Sequence, residues 1–246
     1  MNIIFSLLIL FLVMTSTTAQ NFLETQKNYP RVKIAYKDKL STVETLLMSA
    51  QLNISDLSLY LRIFKKEKTL EVWAKAKKDT VYHHLTSYPL CATSGQPGPK
   101  RMQGDEQMPE GIYKIVHFNA FSNFFLSMKI DYPNASDLKL SATKNPGGDI
   151  FIHGNCVAIG CFPIGDEAIK ELYILAIEAT AQNTLPIPVH IFPCKMTDQN
   201  TEELLKLYPQ HEAFWKSLQP IYQYFDAQKK LPLVRINSKG YYEIAK

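Results

Sequence analysis

The sequence predicts an α+β protein: a mostly β domain built on a mixed or antiparallel sheet, followed by a helical C-terminal extension. Three observations carry this. Period-two runs crowd the middle of the chain from LSLYLRIFKK (57–66) onward, whereas helical patterns come late. The stretch EAIKELYILAIEAT behind Asp166 has the clearest amphipathic helical period in the chain. A length of 246 residues with 46% hydrophobic and 11% aromatic content suits one globular domain of generous size with an appendage.

Taken in order, MNIIFSLLILFLVMTSTTA carries no charged side chain, and its apolar run is too short to span a bilayer before small and polar residues follow. This predicts a signal peptide over residues 1–19, cleaved after Ala19, and an exported chain. Residues 20–56 read as a polar lead-in, with one short helix over VETLLMSAQL behind the capping-box spacing Ser41-Thr42-Val43-Glu44. LSLYLRIFKK and LEVWAKAK (70–77) flank a charged turn and predict a β-hairpin, and VYHHLTSYPLC (81–91) predicts a third strand. After the turn-rich ATSGQPGPKRMQGDEQMPEG, strands are expected at GIYKIVHF (111–118), FFLSMKI (124–130), DIFIHG (149–154) and IPVHIFP (187–193). DYPNASDLKLSATKNPGG reads as irregular, and Asp166 as the N-cap of the amphipathic helix. The strand-rich domain thus spans 57–194, and an extension of two helical stretches and two short strands spans 195–246.

The formal net charge of +4 is modest but uneven, with seven Lys or Arg against two Glu between Arg62 and Lys78. Such a face suits an acidic polymer, but lysines on a solvated hairpin also keep a strand edge from pairing, and that reading is preferred. No nucleic-acid-binding motif is present, so nucleic acid is not an expected partner.

Export places Cys91, Cys156, Cys161 and Cys194 in an oxidising compartment. One bridge plus a reactive thiol fits four cysteines as well as two bridges do, and spacing alone leaves the pairing open. The stretch FIHGNCVAIGCFPI (151–164) admits three readings. His153 and Cys161 can form a catalytic pair if the chain doubles back, since eight extended residues span about 26–29 Å. Gly154 and Gly160 sit where such a reversal needs conformational freedom, and a helix start shortly after Cys161 could favour thiolate. His153, Cys156 and Cys161 with His190 and Cys194 also offer soft ligands for tetrahedral zinc. Finally, apolar-flanked cysteines are often simply buried.

The same residues resemble the signature of the L,D-transpeptidase catalytic domain (YkuD-type), in which a strand-end His-Gly precedes a Gly-Cys. IHGNCVAIGC, the Pro109-Glu110-Gly111-Ile112-Tyr113 turn, IFPCKMTDQN and FWKSLQPIYQYFDAQKKLP are most similar to the YafK-like branch, from about Leu57 to the C-terminus. The resemblance implies Cys161 as nucleophile, His153 as general acid/base, and backbone N–H groups of Gly160 and Cys161 as oxyanion donors. Cys156 matches a second cysteine of the branch. A Cys91–Cys156 bridge would keep it from pairing with Cys161. Ala158 and Pro163 depart from the pattern, standing where the branch has a hydroxyl and the wider family an arginine. Lys100 and Arg101, beside Gly104 and Asp105, are candidate contacts for substrate carboxylates, with a solvated loop as the alternative.

That resemblance implies a cysteine acyltransferase of the cell envelope or periplasm acting on peptidoglycan stem peptides, with no cofactor and no metal. Two alternatives accompany it: hydrolysis by the same site, trimming stems or releasing a wall-bound lipoprotein, and a wall-binding protein without activity. Oligomeric state is not legible.

Overall fold

Helical structure begins far earlier than the sequence pattern indicates. The computed structural model describes residues 21–183 and 186–245, so the expected signal peptide lies outside the described residues. Residues 21–28 are helical (α1), and α2 runs from Pro30 to Ser49. The loose lead-in is therefore corrected. Pro30 starts the helix without losing a bond, because a first-turn N–H has no intrahelical partner. Ser41 lies mid-helix rather than at a cap, and Val32, Ala35, Val43 and Leu47 form the stripe that is buried.

The sheet hairpin is β1 (Leu57–Phe64) and β2 (Thr69–Ala76), paired from Leu57 opposite Ala76 to Phe64 opposite Thr69. Both faces of β1 are covered: Leu57, Leu59, Leu61 and Ile63 enter the main core, while Tyr60 and Phe64 join aromatic clusters on the other side. β3 (His83–Pro89), β4 (Gly111–Asn119), β5 (Ser127–Ile130), the short helix α3 (Ala135–Leu140), β6 (Phe151–His153) and β7 (Phe162–Pro163) follow. α4 (Asp166–Gln182), β8 (Pro188–Phe192), α5 (Asp198–Leu207), α6 (Glu212–Gln228), β9 (Val234–Ile236) and β10 (Tyr242–Ile244) complete the chain. The large sheet has the order β3-β2-β1-β8-β4-β5-β6-β7 and is mixed, with β1–β8 and β6–β7 parallel. Gly111–Lys114 of β4 pairs with β8, whereas Ile115–Asn119 pairs with β5 across a register shift, and the sheet curls there. The expected α+β class holds.

α4 covers one face, with Ile169, Leu172 and Tyr173 in the main core, and α2 packs on it. Polar pins fix the N-terminal helices to α4: Tyr36 Oη of α2 donates to Glu178 at 2.6 Å, and Tyr173 Oη to Gln26 of α1 at 2.8 Å. Asp166 is the first helical residue, not the cap; Gly165, at φ +79°, holds that position. On the other face, Trp215, Leu218 and Ile221 of α6 pack against Phe64 and Phe192. The stretch read as irregular contains α3, opened by a capping box in which Asn134 and Asp137 exchange side-chain bonds with the backbone. Ser136 Oγ donates to Gly240 O and Asn134 Nδ2 to Tyr242 Oη, tying the β9–β10 hairpin to α3.

Glu110 is the hub of the loop before β4. It is fully buried, and Lys65 Nζ and Gly98 N donate to Oε1, each at 2.9 Å, while Trp215 Nε1 donates to Oε2 at 2.7 Å. Lys65 also donates to Gly98 O and Met108 O. The basic run was thus read too uniformly: Arg62 and Lys65 are internal, and only part of it is a solvated face.

Candidate active site

His153 ends β6, and the chain returns through residues 154–161 to β7, which lies parallel beside β6 with His153 opposite Pro163. The doubling-back that the sequence required is therefore present, and Pro163 serves as a sheet partner where the wider family has arginine. His153 and Cys161 line one cavity of about 240 Å³. Its other walls are Asn119 at the end of β4 and Ser122, Asn123 and Phe124 from the β4–β5 loop, with Ser127, Asp149 and Phe151.

The reversal depends on two glycines for different reasons. Gly160 has φ +87°, a left-handed conformation that favours glycine. Gly154 is not left-handed; a Cβ there would lie 2.6 Å from Asp166 Oδ1 and 2.7 Å from Phe124 O. Asp166 Oδ1 already accepts from Asn155 N at 2.7 Å, and Phe124 stacks on the His153 ring at 4.5 Å. Gly154→Ala is therefore expected to cost about 1–3 kcal/mol of stability by overpacking. It should lower turnover more than its stability loss explains, as urea melts beside activity assays will show.

Cys91 and Cys156 are joined by a disulfide. With Cys91 N donating to Pro163 O and Gly160 N donating to Ser94 Oγ at 2.7 Å, segment 91–94 clamps both arms of the Cys161 loop. Cys161 and Cys194 are free thiols. The bridge realises the pairing suggested above.

The titrating groups rest neutral. Burial pulls the His153 imidazole below its ordinary value, only partly opposed by its bond to Gly154 O. Nδ1 lies 2.5 Å from that carbonyl oxygen, so Nδ1 carries the proton and Nε2 is the basic nitrogen. Burial also pushes the Cys161 thiol above its ordinary value; the Phe151 amide and, less, Lys100 pull it down, while the Asp149 carboxylate raises it further.

Other expectations shift as well. The Gly160 N–H is held by Ser94 Oγ and is not a free oxyanion donor in this structure, which leaves the Cys161 N–H of the expected pair. Lys100 Nζ is internal, 2.6 Å from Asp105 Oδ1, and Asp105 Oδ2 accepts from Arg101 N and Met102 N. Arg101 pairs with buried Asp137 at 3.1 Å and stacks over the Phe214 ring. Gly104 supplies a left-handed turn in open space. These four residues hold their loop together; none lines the Cys161 cavity. The zinc set does not converge either. Cys156 is bridged, His190 is fully buried against Tyr60 Oη at 2.7 Å and pulled down to about 3 by burial, and Cys194 lies in the α6 cluster. Among the described residues, no three His, Cys, Asp or Glu side chains group as a metal site.

Phe124, Ser94 and Asp149 are the site residues that sequence reasoning missed. The only available signal was the Asn119–Asn123 stretch, whose mixed polar and aromatic residues stood between two predicted strands.

No family model matches the chain. Over 190 residues, however, 76% of its length, it is 34% identical to an Escherichia coli K12 protein, covering 74% of that relative. The chain belongs to the L,D-transpeptidase family, in its YafK-like branch. The relative is "Putative L,D-transpeptidase YafK", and its counterpart from Escherichia coli O157:H7 matches equally. Among solved structures, the helical cell shape determining protein Pgp2 from Campylobacter jejuni aligns with TM-score 0.45 and 15% identity, over 74% of this chain and 73% of that one. L,D-transpeptidase 1 from Mycobacterium tuberculosis aligns with TM-score 0.32 and 12% identity, over 55% of this chain and 62% of that one.

Proposed function

We propose that this chain is a peptidoglycan L,D-transpeptidase in which Cys161 is the nucleophile and His153 the general base and acid. The observation that carries the reading is the shared cavity of a free, half-buried thiol and a neutral imidazole whose Nδ1 proton is fixed on Gly154 O. Cys161 Sγ attacks a stem-peptide carbonyl while His153 Nε2 takes the thiol proton. The Cys161 N–H supports the oxyanion. As the tetrahedral adduct collapses, the C–N bond breaks and His153 returns the proton to the leaving amine. A thioester remains on Cys161, and an acceptor amine resolves it. The reading places the mature chain in the cell envelope, exported through the signal peptide at 1–19.

Mass spectrometry of muropeptides after incubating sacculi with the purified protein tests this, beside a Cys161→Ala control. New crosslinks between stem-peptide diamino acids, absent in the control, support transpeptidation. Shortened stems or released protein remnants without crosslinks replace it with hydrolysis, and no change in either sample favours a wall binder.

The resting charge states give a second test. Because the His153 pKa is lowered, the base stays neutral as pH falls past the usual imidazole midpoint, and the acid limb of kcat/KM should lie below about 6.5. Because the Cys161 pKa is raised, iodoacetamide alkylation should accelerate only above the ordinary cysteine range. An alkylation midpoint near neutrality contradicts the neutral pair and requires a preformed thiolate.

A further inference from the structure

A second cavity lies at the opposite end of the sheet from Cys161 and shares no lining residue with the first. It encloses about 410 Å³ between β1, β2, β3 and α6. At its base is Arg62, whose side chain is 2% exposed. The guanidinium is packed among Phe64, Tyr222 and Phe225 at 4.7–4.9 Å, with Trp73 slightly further away. Nη1 faces two carboxylates, Glu71 and Asp226, at 3.6 Å each. Nε and Nη2 are buried without a partner.

An arginine in this position is costly unless its donors are met, because buried N–H groups lose their water and gain nothing in return. The nearby carboxylates are already engaged: Glu71 takes the Trp73 indole N–H at 2.8 Å and Lys195 at 3.5 Å, and Asp226 takes Lys229 at 3.6 Å. Lys195 and Lys229 stand partly exposed among the lining residues, so cations outnumber carboxylates there. Tyr222 adds no charge, since burial raises its phenol and Arg62 offsets that only in part. Donors are left over, and what is missing is an anionic acceptor. Two unpartnered nitrogens of one guanidinium suit a planar carboxylate, and aromatic walls around a space of this size suit an organic body better than a bare inorganic ion.

We propose that this cavity binds the carboxylate of a small organic anion, with the carboxylate on Arg62, Lys195 and Lys229 and its body against Trp73 and Tyr222.

The test uses benzoate as probe, benzamide as its uncharged isostere and inorganic phosphate as a bare anion. The reporter is the Trp73 indole N–H resonance, with Trp215, buried in a different cluster on Glu110, as internal reference. Benzoate should shift Trp73 saturably at millimolar concentration and leave Trp215 unmoved, while benzamide and phosphate bind at least about tenfold more weakly. Arg62→Met should abolish the shift. Lys195→Ala, at a half-exposed position that should not disturb folding, should weaken benzoate by about two- to fivefold, the range of an exposed charge contact. Cys161→Ala should bind benzoate normally. The proposal is overturned if benzoate gives no saturable shift, if benzamide or phosphate binds as well, or if Lys195→Ala binds unchanged.

Discussion

Cys161→Ala, His153→Gln and the double variant are expected to lose turnover by the same factor, on the order of 10⁴–10⁶. In the proposed mechanism the two residues act as one unit: a neutral thiol has no other route to a nucleophile, and a base without a thiol has no proton to take. Losses in such a unit do not add. Assays of the three variants on isolated sacculi check this, with urea melts showing that all three remain folded. Cys161 is half-buried and its thiol makes a long 3.7 Å contact to Asp149 O, so its truncation removes little packing. If the double variant falls well below either single variant, the residues contribute independently and the acid–base pairing is wrong.

Glu110→Ala is expected to destabilise the fold by about 3–5 kcal/mol, the cost of leaving a buried charge without its counter-ion. Lys65 Nζ would keep only carbonyl acceptors, those of Gly98, Met108 and, at 3.5 Å, Gln96, and the Trp215 indole N–H would lose its acceptor. Glu110→Gln should cost less, because an amide oxygen can still accept from Trp215 or Gly98. Urea midpoints at neutral pH measure both. The damage should reach the active site as well, because the loop that Glu110 anchors carries Gln107, whose carbonyl oxygen lies 3.2 Å from where a Gly160 Cβ would sit.

The hairpin β1–β2 and the strands β4 and β8 were legible because alternation survives when one face of a strand differs chemically from the other. α4 was legible because nearly every core-facing position carries a large apolar side chain. α2 was not. Its buried stripe has only Val32, Ala35, Val43 and Leu47 among charged residues, and Ser41-x-x-Glu44 imitated a helix start inside a continuous helix. α3 was hidden for the opposite reason: Asn134 and Asp137 form a true capping box, but the helix is one and a half turns long and has little periodicity to read. The parallel contact of β1 with β8 joins residues far apart in sequence, which no local pattern encodes.

The candidate site divides along the same line. That His153 and Cys161 come to one cavity was readable because the glycines between them announced a reversal and because a family signature runs through them. The cavity wall was not, since Phe124 reaches His153 by ring stacking from another loop. Charge alone misled at Lys100, Arg101 and Asp105. Their opposite charges meet one another or Asp137 and are spent on holding the loop.

The most direct measurement is intact-protein mass spectrometry of the protein quenched in acid after brief mixing with muropeptides carrying tetrapeptide stems. A thioester acyl-enzyme predicts a mass gain of one acyl fragment, mapped to the peptide containing Cys161, removed by hydroxylamine and absent from Cys161→Ala. Turnover of the same muropeptides with no adduct on Cys161, or with an adduct that persists in Cys161→Ala, would contradict the assignment of Cys161 as the nucleophile.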